Sequence, residues 1–198
     1  IRDAQESRGL GDVYKRLVQF RKELAERRNG VSFSGYSEDS FLIECECPRF
    51  GSGEAKGIIR ESVRGQDLYI LVDVCNYNLT YTVCGQTNHM SPDDHYQDLK
   101  RIIAAVGGKA RRITVIMPFL YESRQHRRSA RESLDCALAL QELTQMGVES
   151  IITFDAHDPR VQNAIPLKSF ETVQPTYQFI KALLKNVDDL KIDTDHLM

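Results

Sequence analysis

No run of 18 apolar residues occurs anywhere in this 198-residue sequence, which excludes a membrane-spanning helix of the usual kind. The opening residues, Ile1-Arg2-Asp3-Ala4-Gln5-Glu6, form neither a charged-then-apolar leader nor a small-residue cleavage site, so the expectation is a soluble, cytoplasmic protein with no membrane partner. An excess of one charge is missing as well. With 26 Lys and Arg against 28 Asp and Glu, the net charge of −2 gives no global attraction to nucleic acid or anionic lipid, and any anion must be held by a local cluster. Five Cys is an odd number in a chain too long to depend on disulfides, which favours a reducing compartment. Neither a Gly-x-Gly-x-x-Gly nor a Walker-type loop is present, and there is no internal repeat and no low-complexity linker.

What is present is enough apolar material, 41% of residues, for a real core. Apolar residues at 10, 13, 14, 17, 18, 20 and 24 follow a period near 3.6 and predict a helix from Leu10 to Leu24, stopped by Asn29-Gly30. Phe41 to Cys47 alternates and reads as a half-buried strand, with a turn at Gly51-Ser52-Gly53 and a return strand at Gly57-Ile58-Ile59-Arg60. From residue 67 the pattern becomes strand, helix, strand, helix. The nearly continuous apolar runs Asp67–Val74, Ile113–Pro118 and Ile151–Phe154 suit strands covered on both faces, as in a parallel sheet. Crossover helices are predicted over Asp93–Val106 and Arg131–Met146. A last helix over Pro175–Lys185 is predicted to turn Tyr177, Ile180, Leu183 and Leu184 inward. The reading is one α/β domain over residues 1–185 and a polar tail over 186–198.

In an open parallel sheet, ligands bind beyond the carboxyl ends of the strands, where loops converge and helix N-termini offer amides. That rule places Cys75-Asn76-Tyr77-Asn78, the cation-rich loop Phe119 to Arg128, and Asp155-Ala156-His157-Asp158 along one edge. Arginines beside an Asp and a His suit a metal-complexed polyphosphate: guanidinium groups take phosphate oxygens in pairs, while carboxylate and imidazole hold a divalent ion. Taken alone, Arg124 to Arg131 reads equally as a solvated charge run or a nucleic-acid patch, and Asp155 with His157 as a loop capping the next helix. Their common position after strands favours the anion site.

The sequence resembles ribose-phosphate pyrophosphokinases. The resemblance is carried, in order, by Phe50-Gly51-Ser52-Gly53-Glu54, by Glu61-Ser62-Val63-Arg64-Gly65-Gln66-Asp67, by Arg112 to Pro118 with Arg124-Gln125 just beyond, and by Ile151 to His157. It implies an α/β fold with a mostly parallel, three-layer sheet, flanking helices and a small β-hairpin flag, the phosphoribosyltransferase-like N-terminal half of a longer two-domain protein. It implies transfer of the β,γ-pyrophosphoryl group of ATP to the 1-hydroxyl of ribose 5-phosphate, with Mg2+, in a homo-oligomer; ribose 5-phosphate would be held by a second half, without which these residues would be inactive. By the same resemblance Phe50, Ser52 and Glu54 contact the adenine bound by a neighbouring subunit, Arg124 and Gln125 contact ATP, and Asp155 and His157 form the magnesium site, Arg124 and His157 being the catalytic pair.

The departures from the family pattern are specific. Ser52 and His126 stand where Asp is usual, the acidic residue expected before Ile165-Pro166 is missing, and the stretch Cys75 to Pro92 is longer than the family loop. Those changes keep open a second reading, a non-catalytic regulatory subunit of the same fold. The acidic run Asp188 to Asp195 lacks a preceding apolar strand and reads as a solvated tail. Cys75, Cys84, His89 and His95 have spacing unlike a structural zinc site, so their thiols are expected to be small buried groups.

Overall fold

The computed structural model describes residues 40–187; the expected helix at Leu10–Leu24 and the acidic run at Asp188–Asp195 lie outside the described residues. The chain divides into two compact units. Among the described residues, one holds 40–67 together with Asn76–Arg111, and the other holds Leu68–Cys75 together with 112–187.

In the first unit, β1 (Cys45–Glu46) pairs antiparallel with β2 (Ile58–Ile59), Cys45 opposite Ile59 and Glu46 opposite Ile58. The alternation predicted from Phe41 onward holds at Ile43, Cys45 and Cys47, which are half-buried, but the ladder is only two residues long. Arg60 adds an ion pair to Glu46 across it. A second hairpin, absent from the sequence expectation, joins β4 (Thr80–Val83) to β5 (Gln86–His89) through the two-residue loop Cys84-Gly85, both with positive φ, 50° and 80°. Two left-handed residues between two strands make the primed turn whose twist matches that of a hairpin.

The helix α1 (Pro92–Val106) follows directly. Ser91 caps it in a reciprocal box with Asp94, Pro92 occupies the first turn, and Gly107 closes it in the left-handed region at φ 59°. Burial disfavours ionisation of Asp94, but hydrogen bonds from the Ser91 N–H and hydroxyl prevail and hold its carboxyl below the usual range. Its buried residues, His95, Tyr96, Leu99, Ile102, Ile103 and Val106, recur at helical spacing along one face.

The second unit is built on the strands β3 (Asp67–Leu71), β6 (Arg112–Met117), β7 (Ser150–Phe154) and β8 (Ser169–Val173), ordered β3-β6-β7-β8. β6, β7 and β8 run parallel, with Met117 opposite Thr153 and Phe154 opposite Val173. From Ile113 to Met117 no residue of β6 is exposed, as expected for a strand covered on both faces. Between β6 and β7 lies α2 (Asp135–Gln145), whose Cys136, Ala139, Leu140 and Leu143 are buried. The chain thus has the expected α/β class, a parallel sheet with helices in its connections and small antiparallel hairpins.

Three expectations need correction. The helix α2 begins at Asp135 and not at Arg131, because Leu134 at its start offers no side-chain cap and the preceding residues are exposed and polar. The last helix, α3 (Thr176–Asn186), buries none of its residues: Tyr177, Ile180, Leu183 and Leu184 are at least 43% exposed. Periodicity establishes that a helix has an apolar face, but not what covers it. Cys75 and Cys84 are exposed thiols, while His89 and His95 are engaged with the backbone carbonyls of Tyr77 and Asn76. All five cysteines are free. Burial, reinforced by the Asp98 carboxylate, pushes the Cys47 thiol up to about 12. Burial and the Glu122 carboxylate bring Cys136 to about 11, so both remain protonated at neutral pH. Among the described residues no helix is long and apolar enough to cross a membrane.

Close backbone approach fixes the β1–β2 pair to α1. A Cβ built on Gly57 falls 2.3 Å from the Arg101 carbonyl oxygen, a main-chain atom that cannot swing aside. Gly57→Ala is therefore expected to cost about 1–3 kcal/mol, read as a lowered denaturant midpoint with an unchanged slope.

Candidate functional site

Parallel pairing of β6 and β7 brings their carboxyl ends together. The Phe154 N–H donates to the Pro118 carbonyl at 3.2 Å, and the buried Thr153 hydroxyl reaches the same carbonyl at 3.5 Å. The chain leaving β6 and the chain leaving β7 consequently emerge side by side. Between them is a cleft of about 300 Å³ lined by Phe119, Leu120, Ser123, Arg124, Phe154, Asp155, Ala156 and His157. The predicted Arg124, Asp155 and His157 all line it, and all three are exposed to an incoming ligand.

Both loops contain a residue in a conformation that L-amino acids avoid. Glu122, two residues before Arg124, has φ 55°, and Asp155 has φ 45°. Such strain persists only where surrounding contacts over-determine the backbone, and it clusters at functional sites. Around Asp155 those contacts are visible: its N–H donates to the Val173 carbonyl at 3.0 Å, and the Ala156 N–H donates to the Thr172 hydroxyl at 2.9 Å. The parallel strand β8, invisible to the periodicity argument, therefore shapes the loop that presents Asp155.

The imidazole of His157 has company that sequence reasoning missed. His126 meets it edge-on with ring centroids 5.1 Å apart, and His126 Nε2 lies 3.5 Å from the Asp158 carboxylate. Asp158 also caps the short 3-10 turn Pro159–Ala164 and takes a bidentate grip from Arg160, with Nε to Oδ1 at 2.9 Å and Nη2 to Oδ2 at 2.6 Å. The side-chain and backbone hydrogen bonds from Arg160 hold the Asp158 carboxyl well below the usual carboxylate range. Phe119, which the strand-end rule placed on this edge without a role, and Phe154, the last residue of β7, are about 46% and 42% exposed and line the cleft.

Gln125 is not part of the cleft lining; its backbone carbonyl accepts the Cys136 N–H at 3.4 Å. Phe50, Ser52 and Glu54 belong to the first unit, on the tight turn between β1 and β2. The Phe50 N–H donates to the Glu54 carbonyl at 2.6 Å, the Gly53 N–H donates to the Phe50 carbonyl at 2.9 Å, and the Ser52 hydroxyl donates to Glu54 Oε2 at 2.9 Å. The Phe50 ring is about half exposed. An open aromatic face beside an oriented carboxylate is a surface on which a planar heterocycle can stack while donating an amino hydrogen.

No group of three or more His, Cys, Asp and Glu side chains among the described residues could hold a metal unaided. Asp155 and His157, which both line the cleft, are the residues that could hold a divalent ion there, since Mg2+ needs only one or two protein ligands where phosphate oxygens and water complete its shell.

Residues 21–147 match the family model for the N-terminal domain of ribose phosphate pyrophosphokinase. Ribose-phosphate pyrophosphokinase 1 of Schizosaccharomyces pombe is 32% identical over 143 residues, which cover 71% of this chain and 31% of the relative. The ribose-phosphate pyrophosphokinase of Bacillus caldolyticus is 27% identical over 160 residues, 78% of this chain and 46% of the relative. The chain thus spans about a third to a half of these relatives. Phosphoribosylpyrophosphate synthetase from Mycobacterium smegmatis shares the fold at a TM-score of 0.62 with 21% identity, over 75% of this chain and 45% of that one.

The left-handed backbone at Asp155 separates its conformational role from its chemical one. Asp155→Gly is expected to leave stability within about 1 kcal/mol, since glycine adopts positive φ freely. Asp155→Val should cost about 2 kcal/mol, because a β-branched residue resists that region. Equilibrium unfolding of the two variants checks the difference.

Proposed function

Because this chain belongs to the ribose phosphate pyrophosphokinase family, we propose that it supplies the ATP-binding part of an enzyme that moves the β,γ-pyrophosphoryl group of ATP onto the 1-hydroxyl of ribose 5-phosphate. The observation that carries this reading is the shared cleft of Arg124, Asp155 and His157 at the carboxyl ends of β6 and β7. A transfer of this kind asks a protein chiefly to position the reactants and to neutralise the charge on the transferring group. Arg124 does so by offering a planar, permanently charged fork to phosphate oxygens. Asp155 and His157 would hold Mg2+, which when bound offsets the polyphosphate charge. His126, fixed by Asp158, keeps the His157 ring from turning away.

The turn Phe50–Glu54 takes the base. Phe50 supplies a stacking face, and Glu54, oriented by Ser52, accepts a hydrogen bond from the exocyclic amine of adenine. A guanine would present a carbonyl oxygen at that position, so the same carboxylate disfavours it. In this reading the base-contacting turn serves a neighbouring subunit of a homo-oligomer, and ribose 5-phosphate binds to a part of the protein beyond these residues.

A second reading, a regulatory subunit without turnover, is favoured by one feature. His126 occupies the position of a usual Asp and is committed to Asp158 and His157. Formation of phosphoribosyl pyrophosphate and AMP by the intact protein, above a no-enzyme control, rules that reading out.

Removal of the Arg124 guanidinium tests the main reading. Charge-assisted hydrogen bonds contribute about 1.5–3 kcal/mol each, so Arg124→Ala is expected to weaken Mg·ATP binding at least ~10-fold in titration calorimetry. Unchanged affinity would show that the phosphate clamp is wrongly assigned.

A further inference from the structure

The inserted hairpin β4–β5 meets the Phe50–Glu54 turn and the residue before it at three successive alternate positions. Arg49, just before the turn, lays its guanidinium over the Tyr81 ring at 4.7 Å from the centroid. The Gly51 carbonyl lies 3.9 Å from Cys84 Sγ. Gly53, at φ 91°, is so close to the hairpin that a Cβ there would sit 3.1 Å from Val83 Cγ2 and 3.9 Å from the Tyr81 ring. The hairpin is itself anchored. The Asn76 carbonyl lies 2.8 Å from His95 Nε2 on α1, the Tyr81 hydroxyl is 3.5 Å from Asp94, and the Tyr77 and His89 rings stack at 4.3 Å across its base. Arg49 completes the frame through Asp98 of α1 at 2.9 Å.

The turn needs such a frame. The ladder behind it is short: two residue pairs of β1 and β2 and one isolated bridge, Arg49 with Ala55, among the described residues. A ladder that short does not order a projecting segment by itself. A ligand that had to freeze the turn on binding would lose affinity equal to the ordering cost, and a contact that freezes it beforehand restores that affinity.

We propose that the β4–β5 hairpin is a positioning element for base recognition: Tyr81 and Val83 hold the Phe50–Glu54 turn in its binding shape and so set affinity and selectivity for the nucleobase. This rests on the nucleotide reading above. It concerns the base alone, because Tyr81 and Val83 belong to the unit that carries Phe50 and not to the one that carries Arg124 and His157.

The test compares Mg·ATP, Mg·GTP and Mg·tripolyphosphate, which has no base, as ligands of the intact protein and its variants. Tyr81→Ala is expected to weaken Mg·ATP about tenfold and to narrow the preference over Mg·GTP, with Mg·tripolyphosphate affinity changed less than about twofold, the loss being one of preorganisation. Tyr81→Phe keeps the ring beneath Arg49 and gives up only the long 3.5 Å contact to Asp94, so it should lose less Mg·ATP affinity than Tyr81→Ala. Val83→Ala, a milder change available should Tyr81→Ala not fold, is expected to lose Mg·ATP affinity several-fold, again with a narrowed preference over Mg·GTP and little change for Mg·tripolyphosphate. Unchanged Mg·ATP affinity in folded Tyr81→Ala and Val83→Ala, or equal loss of Mg·ATP and Mg·tripolyphosphate, overturns the hairpin's role while leaving the nucleotide reading intact. Failure of the unsubstituted protein to bind Mg·ATP overturns both.

Discussion

The parallel register of β6 against β7 is the constraint on which the cleft depends. Each strand contributes little chemistry of its own, since the side chains of Ile113–Met117 and of Ser150–Thr153 are buried or half-buried in the sheet. Pairing Met117 with Thr153, however, leaves Pro118 and Phe154 hydrogen-bonded at the strand ends. Two loops whose key residues lie more than thirty positions apart in sequence then share one edge. A one-residue slip would exchange the buried and outward faces of β7 and carry the Asp155 loop away from Arg124, so the apolar pattern that fixes register also fixes the site.

Above that edge, conformation and charge are set locally. The left-handed residues Glu122 and Asp155 bend their loops sharply, and β8 ties down the second through the Val173 carbonyl and the Thr172 hydroxyl. Arg160 takes the charge of Asp158, and Asp158 in turn meets His126 beside His157. An exposed guanidinium, a carboxylate and an imidazole remain facing the cleft, a combination suited to a polyanion accompanied by a divalent cation.

Much of this was legible in the sequence, for a physical reason. Strands covered on both faces must be apolar almost throughout, so β3, β6 and β7 announce themselves, and the strand-end rule then places Arg124, Asp155 and His157 on one edge. The strand β8 escaped because Ser169, Glu171 and Val173 are exposed and the remaining alternation is too short to stand out. The β4–β5 hairpin escaped because β5, Gln86-Thr87-Asn88-His89, is exposed along its whole length and has no apolar period. Its turn was nonetheless encoded: Cys84-Gly85 follows Thr80-Tyr81-Thr82-Val83, a β-favouring run before a residue suited to positive φ. The pairing of Asp158 with Arg160 and His126 is a tertiary fact with no sequence period, and the exposed apolar face of α3 shows that amphipathicity does not name its cover.

A double-mutant cycle on Arg124 and His157 tests the central claim most directly, that the two loops serve one bound molecule. Mg·ATP affinity is measured for the intact protein, Arg124→Ala, His157→Ala and the double variant. Residues that share a ligand are expected to couple by at least ~0.5 kcal/mol, so the double variant should lose less, or more, than the two single losses combined. Losses that add within about 0.3 kcal/mol would mean that the two side chains act on the nucleotide independently, contradicting a common cleft as the seat of binding.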